Sequence, residues 1–226
     1  MGNRFFATAM RWTAGLVIGM GLAGGASAAL LTVTSYDMQN GDGQANGGAF
    51  NYWDKKYNGV GSTTTDSALL SGGTGDLTDG VTTNQNWNLV ENVAGTGPYV
   101  GWLISRTPNP VVKFNFAGLS LVNSVTVHMD DSNGFGGVSP PLSIDTSTDG
   151  VIFAPHAITD PAGGAPFSVT LPVNLSTNDL FVRFTHRTGW VFIDEVTFDG
   201  AAIPEPATLA LLGVGLAGLG FSRRRQ

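Results

Sequence analysis

The sequence predicts an all-β domain, a jelly-roll β-sandwich, with one apolar segment before it and another after it. Three observations support this fold class. Short runs of alternating apolar and polar residues recur from Val111 to Phe198, with turn signals between them. No run between residues 29 and 203 keeps a helical period over ten residues. The chain contains 32 glycines among many Asn, Thr and Ser residues, a composition typical of strands joined by long polar loops.

The N-terminal apolar segment has the three parts of a secretory signal peptide. Two arginines precede an apolar run over residues 12–23, which is followed by the small-residue motif Ala26-Ser27-Ala28. Because signal peptidase selects small side chains such as those of Ala26 and Ala28, we expect cleavage after Ala28. Residues 1–28 are therefore predicted to be a signal peptide that does not join the fold. A retained N-terminal anchor is the alternative.

The C-terminal segment also has three parts. They are Ile203-Pro204-Glu205-Pro206, an apolar run over residues 207–221, and the basic cluster Arg223-Arg224-Arg225. The two prolines keep the backbone extended, so Glu205 is predicted to lie on an accessible segment. As a helix the 15-residue run is roughly 22 Å long, slightly short for a relaxed bilayer crossing. The arginines would remain on the cytoplasmic side, which leaves the chain before Pro204 outside.

This layout resembles the PEP-CTERM sorting signal of Gram-negative bacteria over residues 203–226. The resemblance implies recognition by an exosortase, a membrane cysteine transpeptidase, and cleavage near Pro204-Glu205-Pro206. The protein would be exported across the inner membrane, anchored transiently by a transmembrane helix at residues 207–221, and then placed on the cell surface or released. An ordinary C-terminal anchor that is never cut is the alternative.

The segment between the two signals, residues 29–202, has a length suited to one domain with a full core. Residues 29–206 hold six basic and all 17 acidic residues, a net charge of −11. Such a surface repels phosphate backbones, so nucleic acid is not an expected partner, whereas divalent cations are attracted. The chain has no cysteine, which excludes cysteine-ligated zinc and thiol catalysis.

The first part of the domain, residues 29–65, is predicted to form one strand at Leu30–Tyr36 and then a loop rich in Gly and Asn. Its aromatic residues indicate that the loop packs on the domain, since disordered linkers are poor in aromatics. Further along, Asp149-Gly150 predicts a hairpin turn. The later strands are predicted at residues 111–116, 124–129, 142–146, 151–153, 167–171, 180–186 and 190–198.

Three pieces of the sequence, in order, resemble the galactose-binding-like (discoidin, or coagulation factor 5/8 type C) jelly roll. Residues 77–87 are similar to the Asp-Gly loop of that family, with Thr and Trp after it. Residues 140–153 are similar to its central hairpin with a Ser-x-Asp-Gly turn. Residues 180–184 and 190–196 are similar to its two closing strands. The resemblance covers about residues 77–198, and it departs from the family in the loop, which has no second acidic residue before its Trp.

In that family the Asp-Gly loop and a glutamate of the last strand often enclose a structural calcium ion. The resemblance implies Ca²⁺ here, with Asp79 and Glu195 as side-chain ligands, carbonyl oxygens of Thr82 or Thr83, and Asp76 in reserve. These are the hard oxygen donors that calcium prefers. The alternative is that Asp79 only caps a turn and Glu195 is a solvated strand residue.

The resemblance also implies polysaccharide binding by loops at one end of the sandwich. An aromatic ring covers the C–H face of a sugar while polar side chains bond its hydroxyls. The Gly-rich loop around Phe135 is suited to present such a ring. For Trp87, Trp102 and Trp190, a place in the core or in loop packing is the alternative. The candidate ligand-binding residues are Tyr99, Trp102, Arg106, Asn133, His186, Arg187 and Trp190.

The sequence carries no recognised catalytic motif. None of its three histidines lies in a metal motif such as H-E-x-x-H, and no G-x-S-x-G elbow occurs. Asp194 and Glu195 are adjacent on a predicted strand, so we expect opposite faces and no carboxylate pair. Asp130-Asp131 is expected to form a solvated turn, and Arg183 to face an acidic residue of a neighbouring strand. The prediction is a protein without enzymatic activity.

Together these observations predict an exported, exosortase-processed protein of the cell surface or extracellular matrix that binds extracellular polysaccharide without chemistry. The membrane is expected to be contacted only through the C-terminal helix. The chief alternative is a structural biofilm or sheath component that packs against protein neighbours. A secreted hydrolase and an ice-binding protein are further alternatives, although the sequence has no regular Thr-x-Thr ladder.

Overall fold

The structure of the protein is a computed structural model that describes residues 29–44 and 46–203. The predicted signal peptide and the sorting segment from Pro204 onward, including its transmembrane helix, lie outside these residues. In the described part of the chain, no helix is both long enough and apolar enough to cross a membrane.

The described residues form nine β-strands, one short α-helix and three 3₁₀ turns. The helix, α1, spans Trp87–Val90. The strands are β1 (Ala29–Leu30), β2 (Val33–Gln39), β3 (Leu69–Gly73), β4 (Val100–Leu103), β5 (Val111–Met129), β6 (Ser143–Ser147), β7 (Ala154–Ala157), β8 (Phe167–Thr185) and β9 (Trp190–Ala202).

Two strands of 19 residues, β5 and β8, run antiparallel to each other through both layers of a sandwich. In the first layer the strand order is β3-β2-β5-β8-β6-β7. In the second layer β5 lies between β8 and β9, and β9 also pairs with β1 and β4. The β5–β8 register is interrupted between Asn115 and Ser120, where the two strands turn from one layer into the other.

The main core lies between the two layers. Phe114 and Phe116, from the first half of β5, contact Phe198 of β9 with ring centroids 5.0 and 5.2 Å apart. On β8, Leu180 and Val182 are fully buried at alternate positions, as expected for a strand with one face on the core. The sheets are therefore joined by interlocking aromatic and branched side chains as well as by the continuous strands.

The two ends of the sandwich differ because β5 and β8 both turn between the layers at the same end. Ala29 lies at this end, since it pairs with Gly200. Ile203 lies there too, and its amide donates a hydrogen bond of 2.8 Å to the carbonyl of Leu119. We call this the tether end. The opposite end, which we call the loop end, carries the loops at residues 40–68, 83–99, 130–142 and 186–189.

The all-β sandwich is confirmed, but several predicted strands merge. The segments predicted at 111–116 and 124–129 are both parts of β5, and those at 167–171 and 180–186 are both parts of β8. The alternation of apolar and polar residues is interrupted where each strand changes layer, so periodicity alone divides it into two. The first long strand, β2, begins at Val33 rather than at Leu30.

The strand predicted at residues 151–153 is wrong, and β7 begins only at Ala154. The carboxylate of Asp149 explains the difference, because its Oδ1 accepts the amides of Val151 and Ile152 at 2.8 and 2.9 Å. These amides are used in a local turn, so they are not available to a ladder with β6. The side chains of Val151 and Ile152 are consequently 80% and 77% exposed.

We expect Phe114→Ala to lower the free energy of unfolding by about 3–5 kcal/mol, because it leaves a cavity between the two layers. Denaturant unfolding followed by circular dichroism measures the effect. The matched control is Leu69→Ala on β3, where the side chain is 77% exposed, and a change within about 0.5 kcal/mol is expected. Similar values for the two variants would contradict the assignment of Phe114 to the core.

Candidate functional site

A second group of aromatic side chains, separate from the main core, lies at the loop end. Tyr52 is its centre, with ring centroids 4.5 Å from Phe192 and 5.0 Å from Trp190. These residues come from different loops and strands, so their packing fixes the loops relative to one another. We call the group the aromatic cluster. Its members are Phe50, Tyr52, Trp87, Val90, Tyr99, Val138, Trp190 and Phe192.

The loop after β5 places one aromatic ring on top of this cluster. Phe135 is 62% exposed, and its ring stacks on Trp87 with centroids 6.0 Å apart and an angle of 26° between the planes. Gly136 adopts a φ of 65°, and a Cβ there would lie 2.6 Å from Trp87 Cζ2. A glycine is required at this position both for the backbone conformation and for the close approach to Trp87. The result is a ring that is supported from below and open to solvent above.

Two of the predicted ligand-binding residues lie beside Phe135. Asn133 is exposed in the same loop, and its amide side chain donates to the carbonyl of Ala162 at 3.3 Å. Trp190 is half-buried in the aromatic cluster and pairs with Val138 across the loop. The hydroxyl of Thr188 donates to the carbonyl of Gly137 at 2.8 Å and fastens the loop to the start of β9. Exposed amide and aromatic groups therefore meet on one surface.

Three other predicted ligand-binding residues are inside the protein, and their burial does not fit contact with a ligand. Tyr99 and Trp102 are 0% exposed, and His186 is 7% exposed. Trp102 stacks on a ring of the main core, and its indole nitrogen donates to the carbonyl of Gln39 at 2.9 Å. The ring of His186 contacts the Trp102 carbonyl through Nε2 at 3.0 Å. Trp102 is therefore a core residue, which was the alternative to a ligand-binding role.

The two predicted arginines are already bonded within the protein. Arg106 forms an ion pair with Asp66 and also donates to the carbonyl of Gly43 at 3.0 Å. Arg187 donates to the carbonyl of Ile158 at 2.6 Å and lies 3.5 Å from a carboxylate oxygen of Asp160. Both arginines hold loops together through these bonds, which occupy part of their hydrogen-bonding capacity.

Buried carboxylates lie beneath the loop end and bond its backbone. Asp130 Oδ2 accepts the amide of Trp87 at 3.2 Å and the hydroxyl of Ser132 at 3.0 Å. Glu91 Oε1 accepts the amide of Tyr99 at 2.9 Å. Asp130 and Asp131 are both fully buried, so the expectation of a solvated turn is wrong. The turn points inward because its carboxylates supply acceptors for loop amides that have no ladder partner.

Burial of these acids shifts their ionisation. Loss of hydration raises the pKa of Glu91 to about 8, and the nearby charges of Asp76, Asp130 and Asp194 act in the same direction. Burial likewise raises the pKa of Asp130 to about 6, with Asp131 and Asp194 adding to the effect. Glu91 is therefore largely protonated at neutral pH, and the loop end carries less negative charge than the sequence suggests.

The strand β9 contains a bulge at its acidic pair. In the β5–β9 register His128 pairs with Glu195 and Met129 pairs with Ile193, which leaves Asp194 as the extra residue. Both carboxylates are buried and bond the same loop: Glu195 accepts the amide of Gly80, and Asp194 that of Thr83, each at 2.9 Å. The expected alternation of faces does not apply across the bulge. Each acid is nevertheless occupied as a loop acceptor.

The structure brings together two of the four residues predicted to bind calcium. Asp79 and Glu195 line one pocket on the side of the sandwich, with Thr78 and Gly80 between them. Burial, with the charges of Asp79 and Asp194, raises the pKa of Glu195 to about 7. The Lys56 ammonium lies 2.8 Å from Asp79 Oδ2 and supplies the nearest positive charge. Thr82 and Thr83 do not line this pocket.

Outside these two sites, one further pairing was predicted correctly. Arg183 faces Asp145 of the neighbouring strand β6, and Arg183 Nη2 lies 2.7 Å from Asp145 Oδ2. By contrast, the sequence indicated neither Phe50 nor Glu91 as part of the loop end. The position of Phe50 in a Gly- and Asn-rich loop was the available signal, because a large apolar side chain there must find a partner.

With the fold and both sites described, the chain falls in the galactose-binding-like class of β-sandwich proteins. Residues 32–200 match the family model for the DS-like domain of discoidin domain-containing receptor 1/2, and the chain belongs to this family. Residues 202–225 match the PEP-CTERM protein-sorting motif, so the sequence-based assignment of a sorting signal is confirmed.

The solved structures that are similar to this chain include carbohydrate-active proteins. Truncated AlyQ, with CBM32 and alginate lyase domains, matches with a TM-score of 0.39 and 10% identity over 80% of this chain and 35% of that one. The CBM32 of AlyQ in complex with 4,5-unsaturated mannuronic acid matches with a TM-score of 0.39 and 10% identity over 75% and 97% of the two chains. A glycoside hydrolase matches with a TM-score of 0.30 and 15% identity over 44% and 21%.

The chain thus spans about a fifth of that glycoside hydrolase and about a third of truncated AlyQ. A search of curated proteins finds no match to this chain.

The free energy of unfolding is expected to decrease as pH rises from about 4.5 to about 8, because the pKa of Glu91 is higher in the folded protein than in the unfolded chain. Below this range both states bind the proton, whereas above it the folded state must bury a carboxylate. Glu91→Gln keeps an acceptor for the Tyr99 amide and removes the titration. Thermal melts from pH 5 to pH 8 should therefore show a smaller decrease for Glu91→Gln than for the wild type. An unchanged pH profile in this variant would contradict the assignment.

Proposed function

We propose that this chain is an exported, exosortase-processed protein of the cell surface or extracellular matrix, and that its β-sandwich binds extracellular polysaccharide without catalysing a reaction. The observation that carries this proposal is Phe135, an exposed ring presented by a glycine-rich loop and supported by Trp87. An aromatic ring that is supported from below and exposed above is suited to the C–H face of a pyranose.

Polar groups around the ring supply the second requirement of a saccharide site. Asn133 is exposed two residues before Phe135, and the backbone of the same loop adopts positive φ at Gly134 and Gly136. An amide side chain offers both donors and an acceptor to sugar hydroxyls. Trp190 borders this surface at the start of β9 and extends its apolar part.

Charge favours a neutral polysaccharide over an acidic one. Residues 29–206 carry a net charge of −11, which repels polyuronates and sulfated polymers. Arg106 and Arg187, the cations predicted to meet a ligand, are bonded to Asp66 and to loop carbonyls instead. The ligand class we propose is therefore a neutral polysaccharide.

The sorting motif supports the cellular part of the proposal. It covers residues 202–225 and follows β9 directly. Its Pro-Glu-Pro sequence is the predicted exosortase site, and its apolar run is the predicted transient anchor. After cleavage the sandwich would remain on the surface or be released into the matrix.

Two of the three histidines make hydrogen bonds inside the protein. His128 Nδ1 lies 2.5 Å from Asp194 Oδ1 beneath the loop at residues 80–83. His186 is buried between Trp102 and Asn109, whose amide contacts its Nδ1 at 3.1 Å. Both rings therefore connect neighbouring segments of the chain.

We further propose that Asp79 and Glu195 bind Ca²⁺. Two carboxylates and the loop between them supply oxygen donors of the type calcium prefers. A divalent ion would offset the mutual repulsion that contributes to the raised pKa of Glu195. Because Lys56 already pairs with Asp79, the ion must displace the ammonium group, and we expect modest affinity.

Binding of the purified protein to a panel of neutral and acidic polysaccharides tests the proposed function. Phe135→Ala should weaken binding to a neutral polymer roughly two- to tenfold, the loss expected for about 0.5–1.5 kcal/mol of aromatic contact. Ile152→Ala is the matched control, since Ile152 is 77% exposed on the distant hairpin turn, and it should bind as the wild type does. Failure of folded protein to bind any polysaccharide would overturn the proposal.

Calcium binding is tested by thermal melts in calcium and in EDTA. Calcium should raise the melting temperature of the wild type but not of Glu195→Gln, which keeps an acceptor for the Gly80 amide and lacks the charge. Asp149→Asn, in the exposed hairpin turn, is the control and should respond as the wild type does. Equal melting temperatures of the wild type in calcium and EDTA would refute the calcium site.

A further inference from the structure

The tether end carries a mainly apolar groove with a volume of about 890 Å³. It lies where β5 turns between the layers and where β1 and β9 end. None of the described residues that line it has a charged side chain. Its apolar lining includes Leu30, Leu31, Phe116, Leu119, Ala201 and Ile203.

Several large apolar side chains around this groove are open to solvent. Leu30 is 74% exposed, Leu119 is 46% exposed, and Leu121 and Ile203 are each 38% exposed. They lie on three different strands or turns that meet at one end of the sandwich. A contiguous apolar surface of this kind is typical of an interaction site, whereas single exposed apolar residues are ordinary.

The absence of charge in the groove is notable in so acidic a domain. Residues 29–206 hold 17 acidic and six basic residues. Anionic lipid headgroups repel an acidic surface, and a groove lined without charged side chains is the part that approaches a bilayer at the lowest electrostatic cost. Cleavage after Ala28, as predicted, would in addition place the positive α-amino group of Ala29 at this groove.

The position of the groove along the chain identifies its partner. Ile203 lines the groove, and its amide bonds the carbonyl of Leu119. In the sequence only three residues separate Ile203 from the apolar run at residues 207–221. Four Cα–Cα steps therefore join Ile203 to Ala207, and they span at most about 14 Å. Anchoring by that run would hold the groove within about 14 Å of the bilayer.

We propose that the tether end docks on the phospholipid surface of the membrane while the sorting segment anchors the chain. The leucines around the groove insert among the headgroups, and the loop end points away from the bilayer. This inference rests on the membrane anchoring in the proposed function, and it goes beyond it by assigning a lipid-facing surface to the folded domain itself.

The experiment uses the full chain in phospholipid vesicles that contain phosphatidylethanolamine and phosphatidylglycerol. Because the chain has no cysteine, Leu119→Cys provides a unique position for an environment-sensitive fluorophore. Its emission should shift to the blue, and spin-labelled lipid should quench it several-fold. The matched control is Leu69→Cys, 77% exposed on β3, whose label should respond only to a water-soluble quencher. Equal responses at the two positions would overturn the proposal.

A charge variant tests whether the groove causes the contact. With the label at Leu30→Cys, adding Leu119→Glu should restore several-fold access of the water-soluble quencher, whereas Leu69→Glu should leave the lipid contact unchanged. A blue shift that persists without lipid and grows with protein concentration would show that a second copy covers the groove, which also overturns the proposal. Unchanged near-ultraviolet circular dichroism confirms that each variant is folded.

Polysaccharide binding is also measured for the protein in these vesicles. This measurement distinguishes a failure of the docking proposal from a failure of the proposed function. The Leu119→Glu variant should lose lipid contact and keep polysaccharide binding, since Phe135 lies at the other end of the sandwich. The Phe135→Ala variant should bind polysaccharide more weakly and keep its lipid contact unchanged. Lipid contact without any polysaccharide binding in the wild type would support the docking surface and refute the proposed function.

Discussion

The packing of Phe114 and Phe116 against Phe198 is the interaction on which the rest of this structure depends. It holds together two layers that share the strands β5 and β8, and it requires those strands to turn at the same end. Once both turn there, the remaining long connections must lie at the opposite end. The separation of a loop end from a tether end is therefore a consequence of core packing and not of the loop sequences.

The loops at that far end have few ladder partners, and buried carboxylates compensate for this. Asp130, Glu91 and Asp194 each accept a backbone amide from one of these loops. Such charge-assisted bonds are strong, but burying several acids near one another is costly. Protonation of Glu91 relieves part of that cost. The loop end thus combines precise loop positions with a stability that depends on pH, in a chain that has no disulfide to stabilise it.

The aromatic cluster and the apolar groove give the domain two unlike surfaces. At the loop end a single ring, Phe135, is exposed above a tightly packed base of aromatic side chains. At the tether end a charge-free groove surrounds the point where the described chain ends. The turn of β5 and β8 places these two surfaces at opposite ends of the sandwich without any additional element, which is the arrangement that the proposed membrane anchoring and the proposed polysaccharide binding require.

The sequence by itself determined the PEP-CTERM sorting motif, the all-β fold class and the family resemblance, because these depend on local features such as apolar runs, Pro-Glu-Pro and strand periodicity. It also predicted the pairing of Arg183 with an acid of the next strand, since strand alternation and charge suffice for that.

Only the tertiary structure decided which aromatic residues are exposed. Trp102 and Phe135 are both large apolar residues near turns, yet one is 0% and the other 62% exposed. Burial depends on which strands cross above a residue, and local sequence does not contain that information. The same holds for Asp130, which polarity alone places at the surface but whose buried carboxylate accepts the amide of Trp87 from a distant loop.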